Sequence, residues 1–410
     1  MKRSQYWKNI FDWNTGFMRP KKNGGWDKPF DAREVNNNFT EGNSWQYSFF
    51  VPQDIPGMIE AYGGNEKFEA KLDEMFNSES KTTGREQVDV TGLIGQYAHG
   101  NEPSHHMAYL YNYVGKPEKT KEKVHYILNE FYKNTPDGLI GNEDCGQMSA
   151  WYVLSSMGIY AVTPGYIERS HVKPYFRNIK IKTKSGVKEL NSKTPKSFFR
   201  FLDTEFEEDA TTDDFQVSYA VAIEDVIKDI IPVPVIQAES KSFKDSLNIN
   251  FESGEDVYYY YSINNNEFKL FRNKLKITES SKIRFYSRNN NVQYSYTISA
   301  QFFKKPNNYT INIKSKYDPQ YHAGGAEGLI DGIYGTTNWR KGEWQGYQSQ
   351  DFEAVVDLKE VKSVQNFSSN YLQDSRSWIL MPTIVDYYTS LDNVNFTFAG
   401  SVENDLNPNV

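Results

Sequence analysis

At 410 residues the chain is too long for one ordinary core and calls for about two to four domains. Its 46 Lys and Arg against 53 Asp and Glu give a net charge of −7 with no basic stripe, which argues against nucleic acid as a partner. A single cysteine, Cys145, excludes an intramolecular disulfide framework and a cysteine-rich zinc site, and no apolar run of eighteen residues is present to span a membrane.

The first residues, MKRSQYWKNIFDW, lack the apolar stretch and cleavage site of a signal peptide. Trp7, Ile10, Phe11 and Asn14 recur at helical spacing, so the chain is expected to open in mid-helix, as a truncated piece, and LNPNV at its end is expected to lack closure for the same reason. Residues 1–165 read as helices joined by Gly-, Asn- and Pro-rich loops. HHMAYLYNYVG places Met107, Leu110, Tyr111 and Val114 on one face and stops at Gly115. KTKEKVHYILNEFY repeats the spacing with Val124, Ile127, Leu128 and Phe131, which predicts an antiparallel helical hairpin. QMSAWYVLSSMGIY is apolar on most sides and predicts a buried helix.

After Pro164 the period becomes alternating. NIKIKTKSG predicts a strand and turn, and residues 166–231 a β-rich segment with a solvated acidic loop, EFEEDATTDD. The prolines of IPVPVI mark a linker. Residues 232–304, with SLNINF, DVYYYYSI and KIRFYS, read as a small β-module, and residues 305–410 as a second one. The fold class expected is therefore multidomain α plus β. The 29 Tyr and 8 Trp suit surfaces that stack on sugar rings, although β-rich domains carry such aromatics on structural grounds as well.

Three helical-region segments concentrate polar residues. In Glu41-Gly42-Asn43-Ser44-Trp45-Gln46-Tyr47 a carboxyl group sits beside glycine and two large rings. Desolvation there could keep it protonated as a general acid, and the macrodipole of a following helix could equally account for it. The segment from His99 to His106 holds Asn101, Glu102, His105 and His106. It lacks the HExxH spacing of a helical zinc site, so hydrogen bonding to a hydroxylated substrate is the better reading. In the segment from Gly141 to Ser149, Glu143 and Asp144 adjoin a buried helix, where a cap needs only one of them. Cys145, with no base beside it, reads as a small buried packing residue. Carboxylates from separate loops at one end of a helical barrel are what glycoside hydrolysis requires, one donating a proton to the leaving oxygen and another activating water or attacking carbon.

EGNSWQYSFFVPQD, HGNEPSHHMAYLYNY and GNEDCGQMSAWYVLSSMGIY resemble the signature stretches of glycoside hydrolase family 92, the calcium-dependent bacterial α-mannosidases, across roughly residues 5–165. The resemblance implies that residues 1–165 are the C-terminal part of an (α/α)6 barrel, lacking the family's N-terminal β-sandwich and first barrel helices. It implies exo-acting, inverting removal of terminal α-mannose from mannose-containing glycans, with calcium at the sugar's vicinal hydroxyls through ligands the sequence does not name. It makes Glu41 the general acid and Asp144 the general base. Asn101 and Glu102 would contact mannose in the leaving-group subsite. His105, His106, Trp45, Gln46 and Glu143 are assigned to the pocket. Members preferring α-1,2 linkages favour His where Asn101 stands, which puts that linkage in doubt. Secretion, into the periplasm or to the cell surface, is implied as well.

Residues 232–304 are similar to the small β-domain that follows some chitobiase-type hydrolases. Residues 305–410 resemble a discoidin, or coagulation factor 5/8 type C, β-sandwich, through GGAEGLIDG, TTNWRKGEWQGY and FEAVVDLKEVKSV. There Trp339, Arg340 and Trp344 are candidate sugar contacts, although such positions are also commonly part of that fold. The competing class is a non-catalytic carbohydrate-binding or adhesion fragment acting through these modules.

Overall fold

The computed structural model describes residues 2–164, 170–183, 186–190, 229–252, 254 and 256–404. The chain divides into two compact units, Met1–Lys21 with Asp27–Pro232, and Lys22–Trp26 with Val233–Val410, so the main break falls inside IPVPVI.

In the first unit the opening helix is a tight 3-10 helix, Lys2–Asn9, and does not run on to Asn14. It stops because Phe11–Asp12 pairs with Phe17–Met18 across a turn at Gly16 (φ 67°), and Asp12 accepts from the Arg19 guanidinium at 3.1 Å. Helix α1 (Ser44–Ser48) is set by Asn43. The Asn43 side chain accepts from the Trp45 and Gln46 amides while Gln46 Oε1 accepts the Asn43 amide at 2.8 Å, a reciprocal cap. Asp54 caps α2 (Ile55–Ala61) through the Gly57 amide at 3.0 Å. Helix α3 (Asn65–Asn77) turns Phe68, Leu72, Met75 and Phe76 inward.

The stretch Met107–Val114 forms a 3-10 helix rather than an α-helix, and ends where the sequence places its end, at Gly115 with φ 74°. Helix α4 (Pro117–Glu130) begins on a proline that has no amide hydrogen to leave unpaired, and packs Val124, Ile127 and Leu128 inward. Helix α5 (Gln147–Met157) is bounded by Gly146 (φ 93°) and Gly158 (φ 83°). It is less enclosed than its apolar sequence predicts, since only Met148, Trp151, Ser155 and Ser156 are buried and Val153 is 54% exposed. Phe49, Met58, Phe68, Leu72, Tyr97, Tyr109 and Trp151 share one core. The strand predicted from NIKIKTKSG is present as Ile179–Thr183, paired antiparallel with Gly186–Leu190. The acidic run at 205–214 lies outside the described residues. Among the described residues no helical or β-barrel closes, and no helix is long and apolar enough to cross a membrane.

In the second unit eight strands form two sheets: β1 (Ile236–Ala238), β2 (Ser242–Phe243), β3 (Leu247–Phe251), β4 (Val257–Ile263), β5 (Lys269–Leu270), β6 (Leu275–Ile277), β7 (Ser281–Asn289) and β8 (Ile298–Lys304). Their orders are β1-β3-β6 and β2-β8-β7-β4-β5. Alternation drives this arrangement: Leu247, Ile249 and Phe251 on β3 meet Ile283 and Phe285 on β7 in one core. Beyond residue 304, Thr310–Ile313 pairs with Ala354–Asp357 and Ile384–Thr389 with Thr397–Glu403. Among the described residues from 305 to 404 no apolar side chain is buried and only Asp331 is. The β-sandwich expected there is therefore represented by separate strand pairs without a common core.

Candidate active site

Glu41, Asp89, Glu102 and Asp144 face one open cavity of about 690 Å³, walled also by Phe50, Pro52, His106, Gln147, Tyr160 and Val162. Each carboxylate comes from a different loop. Glu41 lies two residues before the Asn43 cap of α1, and the Asn101 side-chain amide donates to the Glu41 carbonyl at 2.9 Å. Asn101 is buried, so its effect on the cavity runs through the Glu41 loop. Its Oδ1 has no hydrogen-bond partner among the described residues.

Glu102 opens the short turn Glu102–Ser104 and reaches the Asp144 carboxyl by a side-chain hydrogen bond. Burial raises the Glu102 carboxyl above its usual range, and the charges of Asp144 and Glu41 push it the same way. A Glu102 that keeps its proton donates to Asp144, which removes the repulsion between them.

The adjacent acids Glu143 and Asp144 divide the work before α5. Glu143 accepts from the Ser149 amide (3.0 Å) and hydroxyl (2.8 Å) and so caps the helix, away from the cavity wall. Asp144 is left exposed and faces the cavity. Asp144, Cys145 and Gly146 have φ of 51°, 56° and 93°, a sharp left-handed run that presents the carboxylate at the loop's crest. Cys145 is exposed rather than buried, because this run turns it out of the core.

His99 and His105 form a buried neutral pair behind the cavity, with the buried His106 at its wall. The Tyr132 hydroxyl donates to the Met148 carbonyl at 3.1 Å, so its oxygen accepts from His99 Nε2 (2.7 Å), and the Tyr97 hydroxyl donates to His99 Nδ1 (2.7 Å). His105 Nε2 donates to the His99 carbonyl at 2.9 Å. Its Nδ1 is then an acceptor and receives the Gln147 side-chain amide at 3.2 Å. Burial lowers His99 well below its usual range and brings His105 and His106 to about 4. His106 lines the cavity with its Nε2 committed to the Phe49 carbonyl at 2.8 Å. His105 does not reach the wall itself, and Gln147 stands between it and the cavity.

Trp45 and Gln46, expected in the pocket, are buried away from the cavity wall. The Trp45 ring packs edge-on to Phe17 at 4.6 Å, and Gln46 Nε2 donates to the Gln96 carbonyl at 2.7 Å. In the second unit the Trp339 indole donates to Ser377 Oγ (3.3 Å) with Arg340 stacked on its ring at 4.2 Å, and the Trp344 indole donates to the Thr336 carbonyl (2.7 Å). The Trp339 contact ties two distant loops together, while Trp344 and Arg340 brace the local stretch 336–344.

Sequence reasoning missed Asp89, Gln147 and Tyr160. Gln147 lies inside the third polar segment, next to the paired acids that drew attention away from it. Asp89 is held by the Gln87 (2.8 Å) and Asn142 (3.3 Å) side-chain amides, and the second of these contacts spans 53 residues of chain.

Carboxylates brought by separate loops to one open cavity are the arrangement that glycoside hydrolysis uses. Residues 1–217 match the glycosyl hydrolase family 92 catalytic domain, more than half of the chain, and the chain belongs to that family. An uncharacterized secreted glycosidase from Arthroderma benhamiae is 28% identical over 204 residues, which are 44% of this chain and 24% of the relative. A family GH92 alpha-mannosidase structure from Bacteroides thetaiotaomicron is 38% identical, with 46% of this chain and 25% of that one covered and a TM-score of 0.41. An inverting GH92 mannosidase from the same organism is 37% identical over 44% of this chain and 26% of that one, with a TM-score of 0.37. The chain thus spans about a quarter of the length of each.

Proposed function

We propose that this chain carries the proton-donating and water-activating carboxylates of an inverting exo-α-mannosidase, acting outside the cytoplasm on terminal α-mannose of mannose-containing glycans. The supporting observation is that Glu41, Glu102 and Asp144 face one cavity. Mannose is the sugar named for the two Bacteroides thetaiotaomicron members of the family to which the chain is similar. The helical segment is then a portion of the family's (α/α)6 barrel, and the strands after residue 232 its chitobiase-type and discoidin-type accessory modules.

In this reading Glu41 gives its proton to the glycosidic oxygen as the bond to the anomeric carbon breaks. Asp144 takes a proton from the water that attacks that carbon from the opposite face, and the product is β-mannose. Inverting pairs stand about 6.5–9.5 Å apart to admit this water, and the solvent exposure of Asp144 suits that role. Glu102, beside Asp144, contacts the sugar in the leaving-group subsite, and Asn101 holds the Glu41 loop.

Calcium is part of the proposal as a family expectation. The cavity offers carboxylate oxygens, and Asn101 Oδ1 is an unpartnered buried oxygen nearby, both donor types that calcium takes. Among the described residues no three His, Cys, Asp or Glu side chains converge to hold a metal, so this chain's acids do not form a complete cage and no step is routed through an ion.

The test is NMR of freshly formed product from an aryl α-mannoside, with and without a chelator. β-Mannose is expected, with loss of turnover in Glu41→Gln and Asp144→Asn. Release of α-mannose, or turnover in either variant equal to that of the parent, overturns the proposal.

A further inference from the structure

The outer face of the five-stranded sheet carries an aromatic and cationic surface that the catalytic reading does not use. Ile283 and Phe285 are fully buried on the inner face of β7, so alternation puts Arg284, Tyr286 and Arg288 on the other. The register sets Tyr260 of β4 opposite Tyr286 and Tyr258 opposite Arg288. The Tyr260 and Tyr286 rings stack at 5.0 Å with 8° between their planes. Phe268 meets Tyr286 edge-on at 5.0 Å, and Tyr294 flanks it at 5.8 Å. The Arg284 guanidinium lies over Phe268 at 5.1 Å. That of Arg288 lies over Tyr294 at 6.0 Å and donates to the Tyr260 hydroxyl at 3.4 Å. Tyr258 and Tyr294 are about half exposed, at 49% and 51%.

Neither arginine has a carboxylate partner among the described residues. Stacking fixes each guanidinium plane with its Nε buried and unpartnered, so the terminal amino groups, apart from the Arg288 nitrogen that donates to Tyr260, are the donors left for a planar or tetrahedral anion. Flat ring faces between two unneutralised guanidinium groups fit a ligand with apolar ring faces and anionic substituents. We infer that this sheet face is a binding platform for an acidic oligosaccharide, one whose pyranose rings pack against the half-exposed Tyr258 and Tyr294 and the outer edge of the Tyr260–Tyr286 stack, and whose uronate, sulfate or phosphate groups meet Arg284 and Arg288. The arginines are four residues apart on one strand, roughly 13 Å at about 3.3 Å per residue, a span that suits a short oligosaccharide rather than a single sugar. A nucleic-acid strand offers rings and anions too, but its continuous charge is ill matched to a chain of net charge −7. Membership of a glycosidase family favours a glycan, while nothing here depends on the chemistry of the cavity.

The full chain is titrated calorimetrically with mannopentaose, its phosphate and sulfate esters, an oligouronate of equal length, and pentathymidylate. At least one acidic glycan is expected to bind about tenfold more tightly than neutral mannopentaose, an advantage lost in 0.5 M salt and in Arg284→Gln/Arg288→Gln. Tyr286→Ala weakens every glycan. Arg284→Lys/Arg288→Lys, which keeps the charge but loses the planar stack, gives an intermediate result. Aryl α-mannoside hydrolysis is unchanged in the arginine variants, so loss of that activity in the parent chain bears on the catalytic proposal alone. Equal binding of neutral and acidic glycans, acidic binding that survives Arg284→Gln/Arg288→Gln in a chain with unchanged melting, or tighter binding of pentathymidylate than of any glycan overturns the inference.

Discussion

His105 fixes which end of the Gln147 amide faces the cavity. Its Nε2 hydrogen is committed to the His99 carbonyl, so its Nδ1 accepts from Gln147 Nε2, and Gln147 Oε1 is the atom left for other partners. Gln147→Glu removes the donor, and the expected response is an imidazolium at His105 paired with the new carboxylate. Ring ¹⁵N shifts at pH 7 check this: a neutral Nε2-H histidine is expected in the parent and a doubly protonated ring in the variant. Gln147→Ala is expected to lower aryl α-mannoside turnover roughly five- to tenfold, the worth of one hydrogen bond. A His105 that titrates near 6.5 in the parent contradicts the arrangement.

The same buried rings make the first unit acid-labile. His105 and His106 titrate at about 4 in the folded chain against the usual 6.5, and His99 is depressed as well. Protons therefore bind the unfolded chain first, and stability present above pH 6.5 is lost as pH falls towards 4. Melting temperature measured between pH 7 and 4 should fall, and His106→Gln should flatten that slope while losing some stability at pH 7. An unchanged slope excludes His106 as a contributor.

Glu102 acts in the opposite sense. Its raised folded pKa means that ionisation there destabilises, an effect absent below its usual 4.5 and complete above its folded value. Glu102→Gln should therefore be slightly more stable than the parent at pH 8, the gain being small because the site is open to solvent, and no different from it at pH 4. Paired denaturant titrations at the two pH values decide it.

Asn43→Ala removes the cap of α1 together with the Asn43 amide bond to Gln96 Oε1 at 2.9 Å. A loss of about 1–2 kcal/mol is expected by chemical denaturation. Because Glu41 is placed through this turn, kcat should fall more than KM changes. An equal loss through KM alone argues against that coupling.

Cys145 should react completely with iodoacetamide in the folded chain, since it is exposed. A thiol that reacts only after unfolding contradicts that exposure.

What could be read ahead of the structure was local chemistry. The helix end at Gly115 follows from glycine's freedom at positive φ, and the strand and turn beginning at Ile179 from alternation, whereas the third helix stops at Gly158, inside the stretch read as helical. The three polar segments do meet at one cavity through Glu41, Glu102 and Asp144. Trp45 and Gln46 were misplaced because their partners, Phe17 and Gln96, are distant in sequence, and no pattern around α1 announces them. The early end of the first helix depends on a strand pair closed by Asp12 and Arg19, and a period of 3.6 persists through it by coincidence. The weak core after residue 304 was invisible for a different reason: alternation states which residues could be buried and is silent on whether anything covers them.

The left-handed run at Asp144, Cys145 and Gly146 governs how variants there should be interpreted. Asparagine tolerates positive φ nearly as well as aspartate, whereas alanine and especially a β-branched residue do not. Asp144→Asn consequently isolates the missing charge, while Asp144→Ala would mix that loss with a shift of the whole crest, including the first turn of α5 that begins at Gln147. Kinetic data from the two replacements are not interchangeable measures of one carboxylate.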